Sequence, residues 1–511
     1  MDETQEKIIL AAAGTGLTLW CIHKWLKHVR NAEPKLCARH DDLVKKLPIP
    51  EDLECPTGTP SVFFGISPQD PSKQICKPAD KDGHIGVFGE SSRGKTTGIV
   101  IPTMGMFPGP QFILDTKGNL ADQWRQHNRS DSRVLKEFRC SALDKNPYWI
   151  DLFEPMRQDP ENASGHAWEL AETLLPIIPG DSSAVWREAA QNLLAGALLY
   201  YFKKGLSFAD ALAQFCTNNC ADVIKAISES SDREAELFIK ELMGLESKVL
   251  LNIGLDLKNT ARLLTTPIIR HAVTQEAHRE QLSLSEFAMG LTEFDIIFEV
   301  PDASLDQIRP LLELLIKQLV HFLSKRPDRF SVENPPSNIL LLLDEFPRLG
   351  KITSIKEGLN FLRSRGVTFV LSMQSIASLE QIYGNADSRV ILDNLRYKVI
   401  LGATDVQSEE YFSKLVGDVP IETSSHTFNI SLPVDYTNFV PSLSLNVTKS
   451  KGMRPYIYPH AFQTLREVVV VSPSGTCLAK KYHSWETVSS TIKEVKSNDT
   501  IGATGKISPI G

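Results

Sequence analysis

The run Gly89-Glu-Ser-Ser-Arg-Gly-Lys-Thr96 constrains the fold more than any other part of the chain. It satisfies the phosphate-loop pattern GxxxxGK[ST], in which glycines let backbone N–H groups turn inward around phosphates. Such a loop works only between a buried strand that ends beneath it and a helix that starts beyond it, whose positive end adds to the same point. Both flanks are legible. His84–Phe88 (HIGVF) is a short apolar strand, and a helix is predicted from Gly94, ended or kinked by Pro102. Gly89, Glu90, Ser91, Ser92, Arg93, Gly94, Lys95, Thr96 and Thr97 are therefore expected to enclose the phosphates of ATP. Lys95 would supply a cation for the β and γ phosphates, and the Thr96 hydroxyl would ligate Mg²⁺.

Phosphoryl transfer also needs a carboxylate for the metal and a base to orient water. In Asn338–Glu345 (NILLLLDE) an apolar strand ends in two acids, at the strand tip where open α/β sheets bind ligands. Asp344 is assigned to the Mg²⁺ shell and Glu345 to water activation; taken alone, the pair would read as a solvated acidic turn. Gln111–Leu114 is a second buried strand, with Asp115 and Lys117 at its tip. Gln374 ends the strand Val367–Met373, placed either to sense the γ-phosphate or to cap an exposed strand end. Arg363 and Arg365 close a helix predicted over Ile355–Arg363. They serve either as a finger into a neighbouring subunit's ATP or to satisfy the helix C-terminus.

Further buried strands are predicted at Phe294–Val300, Tyr397–Leu401 and Glu467–Val471, alternating with helices, which points to a mostly parallel sheet covered on both faces. Residues 47–84 carry seven prolines and read as extended strands and turns. From 164 to 290 apolar residues recur at helical spacing, predicting an all-helical insertion. Residues 419–450, rich in Ser, Thr, Asn and Pro, read as an exposed loop or irregular hairpin. The resulting division is 1–46, 47–163, 164–290, 291–486 and a polar tail, 487–511.

With 42% hydrophobic and 23% charged residues, disorder is excluded as the state of most of the chain. The net charge of −7 leaves no global basic footprint, so any nucleic-acid contact must gather its cations locally. Eight scattered cysteines without a CxxC pair read as free thiols rather than a cysteine zinc site. Ile8–Ile22 is a charge-free apolar stretch of 15 residues, short for a membrane span, which takes roughly 17–25. Lys24, Lys27, Arg30, Lys35, Arg39, Lys45 and Lys46 follow it, so it is read as an anchor with the remaining chain cytoplasmic. The alternative is an amphipathic helix packed on the main domain.

The blocks Gly94–Met104 (GKTTGIVIPTM), Pro108–Asn119 (PGPQFILDTKGN), Leu343–Ile352 (LDEFPRLGKI), Arg363–Ser375 (RSRGVTFVLSMQS), Leu379–Gly384 and Asp393–Asp405 resemble the type IV coupling proteins, the TraG/TraD-like ATPases of conjugation. The resemblance implies a RecA-like core with an inserted all-helical domain that meets substrate. It implies a hexamer at the bacterial inner membrane that couples relaxase-bound single-stranded DNA, or secreted protein, to a type IV secretion channel. It implies that Lys95, Thr96, Asp344, Glu345 and Gln374 keep the roles given above, and it prefers Arg363 to Arg365 as the finger. Trp186 resembles the aromatic that leads the family's first inserted helix. It is read as a base-stacking residue near DNA or as a core anchor of the helical region. The family often has two membrane helices, whereas this chain shows one short segment. Two rival functions share the core: a double-stranded DNA pump, which usually lacks so long an insertion, and a nucleotide-binding substrate receptor.

Overall fold

The computed structural model of the chain describes residues 47–482, apart from 128–132, 141, 143–145, 178–183, 265, 291–293 and 432–441. The anchor expected at Ile8–Ile22, the basic run to Lys46 and the tail 487–511 lie outside the described residues. Among the described residues no helix is long and apolar enough to cross a membrane.

In chain order the strands are β1 (Glu54–Pro56), β2 (Ser61–Ile66), β3 (Lys73–Pro78), β4 (Ile85–Phe88), β5 (Gln111–Asp115), β6 (Val134–Arg139), β7 (Tyr148–Trp149), β8 (Glu280–Gln281), β9 (Phe294–Glu299), β10 (Ile339–Leu343), β11 (Val367–Met373), β12 (Tyr397–Ile400), β13 (Asp418–Ser431), β14 (Ser442–Pro455), β15 (Glu467–Ser472) and β16 (Gly475–Lys480). Twelve of them form one sheet in the order β1-β3-β2-β16-β15-β12-β4-β11-β10-β5-β9-β6. From β12 to β6 every neighbouring pair is parallel. The flank from β15 to β1 is antiparallel and includes the proline-broken N-terminal strands.

Strand β10 shows why the central run is uniformly apolar. Ile339, Leu341 and Leu343 face one hydrophobic cluster, while Leu340 and Leu342 face the other. Helices cover both faces, so no position is left for water and the strand cannot alternate with polar residues. One cover is built around the helix Leu305–Ser324 and the helical region, the other around residues Thr96–Met106 and the helix Leu120–His127.

Pro102 does not end its helix. Thr96–Val100 forms a π-helical turn, with the Ile101 N–H bonded to the Thr96 carbonyl, and an α-helix then runs from Ile101 to Met106 with Pro102 in its first turn. The residues before it are already helical, so the proline interrupts the hydrogen-bond ladder of a continuous run, and the π-helical turn lies directly beside that interruption.

The stretch 164–290 holds the helices Ala163–Leu174, Ala184–Lys203, Phe208–Thr217, Cys220–Ser228, Arg233–Ile239, Ser247–Leu264, Pro267–Val273 and Leu284–Met289. Ser207, Asn219, Asp232 and Ser283 each accept a hydrogen bond from a first-turn N–H, the local signal that starts a helix. The stretch is not all-helical, however. The short β8 pairs in parallel with β7. The buried Arg279 guanidinium secures it by donating to the carbonyls of Asn146, His271, Thr274 and Tyr148.

Residues 419–450 are also more regular than expected. Strands β13 and β14 pair without interruption from Asp418↔Pro455 to Ser431↔Ser442. Composition there did not reveal the regular pairing. The period-two alternation Ser442-Leu-Ser-Leu-Asn-Val-Thr448 carried the strand signal all along.

Candidate active site

The strand order delivers the site. Strands β4, β11, β10 and β5 are consecutive neighbours in parallel, so their C-terminal ends lie along one edge of the sheet. After β4 comes the phosphate loop, after β11 Gln374, after β10 Asp344 and Glu345, and after β5 Lys117. The loop is seated from both sides: the Gly89 N–H bonds the Met373 carbonyl at 3.2 Å, and the Leu401 N–H bonds the Phe88 carbonyl at 2.8 Å. Its turn uses positive φ at Ser92 (68°) and Gly94 (92°), so one of the two left-handed residues is not a glycine. The tip is braced by Arg93, which donates to the Gln463 carbonyl, and by Thr404, which donates to Glu90.

Five of the expected site residues converge. The Thr96 hydroxyl donates to Asp344 Oδ2 at 3.1 Å, with Asp344 fully buried. The Lys95 ammonium lies 3.8 Å from Glu345 Oε1, both side chains buried, and donates to the Gly89 and Glu90 carbonyls. Gln374 Nε2 donates to Glu345 Oε2 at 3.1 Å and reaches Ser91 Oγ at 3.5 Å. Gln374 thus bridges the acid and the phosphate loop because β11 lies between β4 and β10. Burial pulls the Lys95 pKa below its ordinary value, against the opposing attraction of Glu345 and Asp344. Glu345 itself stands in the left-handed region at φ 53°, ψ 44°, a conformation that for a non-glycine costs of order 1–3 kcal/mol and clusters at functional sites. That twist turns two consecutive acids toward one point.

Lys117 was seen in the sequence only as a polar residue at a strand tip. Its ammonium lies 3.3 Å from Thr96 Oγ1, 3.5 Å from Glu345 Oε1 and 3.6 Å from Asp344 Oδ2. The loop that carries it is organised by Asp115, which accepts from the N–H groups of Lys117, Gly118 and Leu120 at 2.7–2.9 Å. Burial nevertheless raises the Asp115 pKa above its usual value. The clue available beforehand was the Asp-Thr-Lys-Gly run at the end of a buried strand.

The arrangement fits Mg²⁺. Two oxygens on adjacent positions of an octahedral ion, with bonds of about 2.0–2.1 Å, sit about 2.9 Å apart. Thr96 Oγ1 and Asp344 Oδ2 stand at 3.1 Å, beside an amine that shows a positive charge is favoured there.

Arg363 is the expected site residue that the chain does not bring to this edge. It is exposed on the turn Leu362–Arg365, which precedes β11, whereas Gln374 follows that strand. Seven strand residues put roughly 23 Å between the two ends. Arg365 is engaged within the chain: it exchanges hydrogen bonds with the backbone and guanidinium of Arg326. Trp186 is 50% exposed, next to Val185 at 72%, in the first turn of the helix Ala184–Lys203. The core-anchor reading of Trp186 is therefore incorrect.

Residues 65–468 match the family model described as type IV secretory system conjugative DNA transfer. The chain is similar to protein VirD4 of Agrobacterium fabrum, 22% identical over 361 residues, covering 69% of this chain and 52% of the relative. It is similar to the conjugal transfer protein TraG of Escherichia coli, 23% identical over 378 residues, covering 67% and 58%. The chain spans about half the length of the curated relatives it matches. Among solved structures, the bacterial conjugative coupling protein TrwBdeltaN70 in its unbound monoclinic form superposes with a TM-score of 0.62 at 15% identity, over 83% of this chain and 90% of that one. TrwB in complex with ADP and Mg²⁺ superposes with a TM-score of 0.59 at 15% identity, over 80% and 88%. These likenesses show a shared α/β fold with a mostly parallel sheet. The family match covers most of the chain and includes every residue of the converged site, and the chain belongs to the type IV secretory system conjugative DNA transfer family.

Proposed function

We propose that the chain is a coupling ATPase: it binds Mg-ATP at Gly89–Thr97 and uses hydrolysis to drive a substrate into a type IV secretion channel. The observation that carries this reading is the hydrogen bond from Thr96 to Asp344, flanked by Lys95, Glu345 and Gln374. A phosphate loop and an acidic pair separated by 248 residues of sequence meet at one point. In this reading Thr96 and Asp344 hold Mg²⁺, which neutralises phosphate charge when bound. Lys95 grips the β and γ phosphates, Glu345 takes the proton of the attacking water, and Gln374 aligns Glu345 with the loop. Lys117, which faces Thr96 and both carboxylates, would offer its ammonium to phosphate oxygens were Mg²⁺ held by Thr96 and Asp344.

The assembly proposed is a homo-hexamer at the bacterial inner membrane, anchored through residues 1–46. Residues 47–163 and 291–486 form the nucleotide-binding core, 164–290 the substrate-facing insertion, and 487–511 a tail. Arg363 is exposed and far from its own chain's site, as a finger into a neighbouring subunit's nucleotide requires. The substrate proposed is relaxase-bound single-stranded DNA, with secreted protein as a second cargo. The test is ATP hydrolysis by the purified full chain, with single-stranded DNA, with duplex DNA, and with neither. Stimulation by the single strand, rising steeply with protein concentration, is expected. Preference for duplex would favour the segregation-type pump, and binding without hydrolysis would favour a receptor.

Trp186 is exposed enough to stack on a base, an interaction worth about 1–3 kcal/mol. Trp186→Ala is expected to weaken DNA-stimulated hydrolysis about fivefold or more, since 1.4 kcal/mol is tenfold in affinity. The melting temperature should not change. Unchanged stimulation would remove Trp186 from the DNA path.

A further inference from the structure

On the cover of the sheet opposite the one that holds Ile99–Met106, the helix Ala163–Leu174 packs against the helix Leu305–Ser324, and three metal-capable side chains meet at their contact. His166 and Glu169 lie one turn apart on the first helix, so both project from the same face. His321 comes from the second. Glu169 Oε2 stands 3.6 Å from His166 Nδ1 and 3.8 Å from His321 Nδ1, and one ligand atom from each residue falls within 4.8 Å of the others. The two imidazoles meet edge to face, with centroids 4.8 Å apart.

Hydrogen bonding does not account for this cluster. The His166 side chain is 3% exposed, yet neither of its ring nitrogens makes a hydrogen bond to any described residue; His321 Nε2 and Gln318 Oε1 beside it are likewise buried without one among the described residues. A buried polar atom left unpaired forfeits its solvation, so four at one point call for an explanation. Lys317 also borders the cavity, but its ammonium pairs with Glu357 at 3.8 Å.

We propose that His166, Glu169 and His321 bind a divalent transition-metal cation of the zinc class, joining the helix that opens the helical region to a helix packed on the nucleotide-binding sheet. Two histidines and one glutamate are a known donor set for an open zinc site, with bonds of about 2.0–2.2 Å. In a tetrahedron such bonds place neighbouring donors about 3.4 Å apart. The two carboxylate–imidazole separations exceed that by a few tenths of an ångström. A cavity of about 20 Å³ adjoins the cluster, bordered by Leu152, Pro155, Leu170 and Leu314. It has room for the one water that would complete the shell. Asp159 Oδ2 lies 3.5 Å from His166 Nε2, the ring nitrogen turned away from Glu169. An outer carboxylate in that position orients a ligating histidine and fixes its tautomer. The ion would tie the motion of the helical region to the core, since both helices belong to one continuous hydrophobic cluster that includes β10.

The test uses the full chain, free of any polyhistidine tag, stripped with chelator and titrated with Co²⁺ alone. One ion per chain, with the visible absorption of a low-symmetry four-coordinate site and displacement by Zn²⁺, is expected. Glu169→Gln and His321→Gln should each weaken binding at least about tenfold, and Asp159→Asn about 10- to 100-fold. Zn²⁺ should raise the melting temperature of the wild-type chain but not of either ligand variant. X-ray absorption of the Zn²⁺-loaded wild-type chain should report two imidazoles and one carboxylate, a readout that does not depend on any variant folding. Absence of the Co²⁺ spectrum at stoichiometric metal, a spectrum unaltered in both ligand variants, or a different ligand set would overturn the assignment.

Discussion

Lys95→Ala is expected to lower ATP hydrolysis by roughly 10²–10³-fold, the usual loss when one preorganised charge that stabilises a transition state is removed. DNA transfer should fall with it. The structure explains why this loss need not come with unfolding. Lys95 is buried, and desolvation lowers its pKa in spite of Glu345 and Asp344 nearby, so the cation is not there because folding favours it. Its removal still leaves the Lys117 ammonium beside Glu345 and Asp344, at 3.5 and 3.6 Å, so the two acids keep one shared cation. The melting temperature is therefore expected to stay within about 3 °C of wild type, the shift that 1 kcal/mol produces in a domain of this size. Phosphate release, calorimetric melting and mating frequency measure the three quantities. Transfer at wild-type frequency in a folded Lys95→Ala variant would end the motor assignment.

Glu345→Gln separates binding from chemistry. The amide keeps the side-chain shape and can still accept the hydrogen bond that Gln374 donates at 3.1 Å, so the edge of the site should stay assembled. What it loses is basicity, together with the charge that faces Lys95 and Lys117. A positioned general base contributes roughly 10²–10⁴-fold, and hydrolysis should fall within that range while ATP affinity is kept or rises, since one negative charge near the phosphates is gone. Single-turnover hydrolysis alongside equilibrium binding of a fluorescent ATP analogue makes the comparison. If the variant binds ATP normally and still supports full transfer, the receptor reading replaces the motor.

Several features were legible before any coordinates because they are local. The phosphate loop is a contiguous run. The strand Ile339–Leu343 advertises two buried faces by having no polar residue, and Asp344 and Glu345 follow it directly. The helical spacing of apolar residues through 164–290 is likewise read from neighbouring turns. The misreadings share one cause. Residues 419–450 were judged by composition, although the alternation in β14 favoured a regular strand. Pro102 was expected to end or kink its helix, and the helix continues past it to Met106 with a π-helical turn just before it. Trp186 was read either as a base-stacking residue near DNA or as a core anchor, because a single residue carries no period to decide between them.

From the letters alone came the residues that the structure brings together, Gly89–Thr96, Asp344, Glu345 and Gln374, each at the end of a strand that had to be buried. The order of those strands is a different kind of fact. That β11 lies between β4 and β10 makes Gln374 touch both Glu345 and the phosphate loop, and that β5 flanks β10 brings Lys117 to Thr96. Residues near 111 pair with residues near 340. The pairing energy depends on how whole layers pack, and no local window of sequence contains it. The same holds for His166, Glu169 and His321, whose meeting is decided by two helices far apart in the chain and adjacent only after the core has formed.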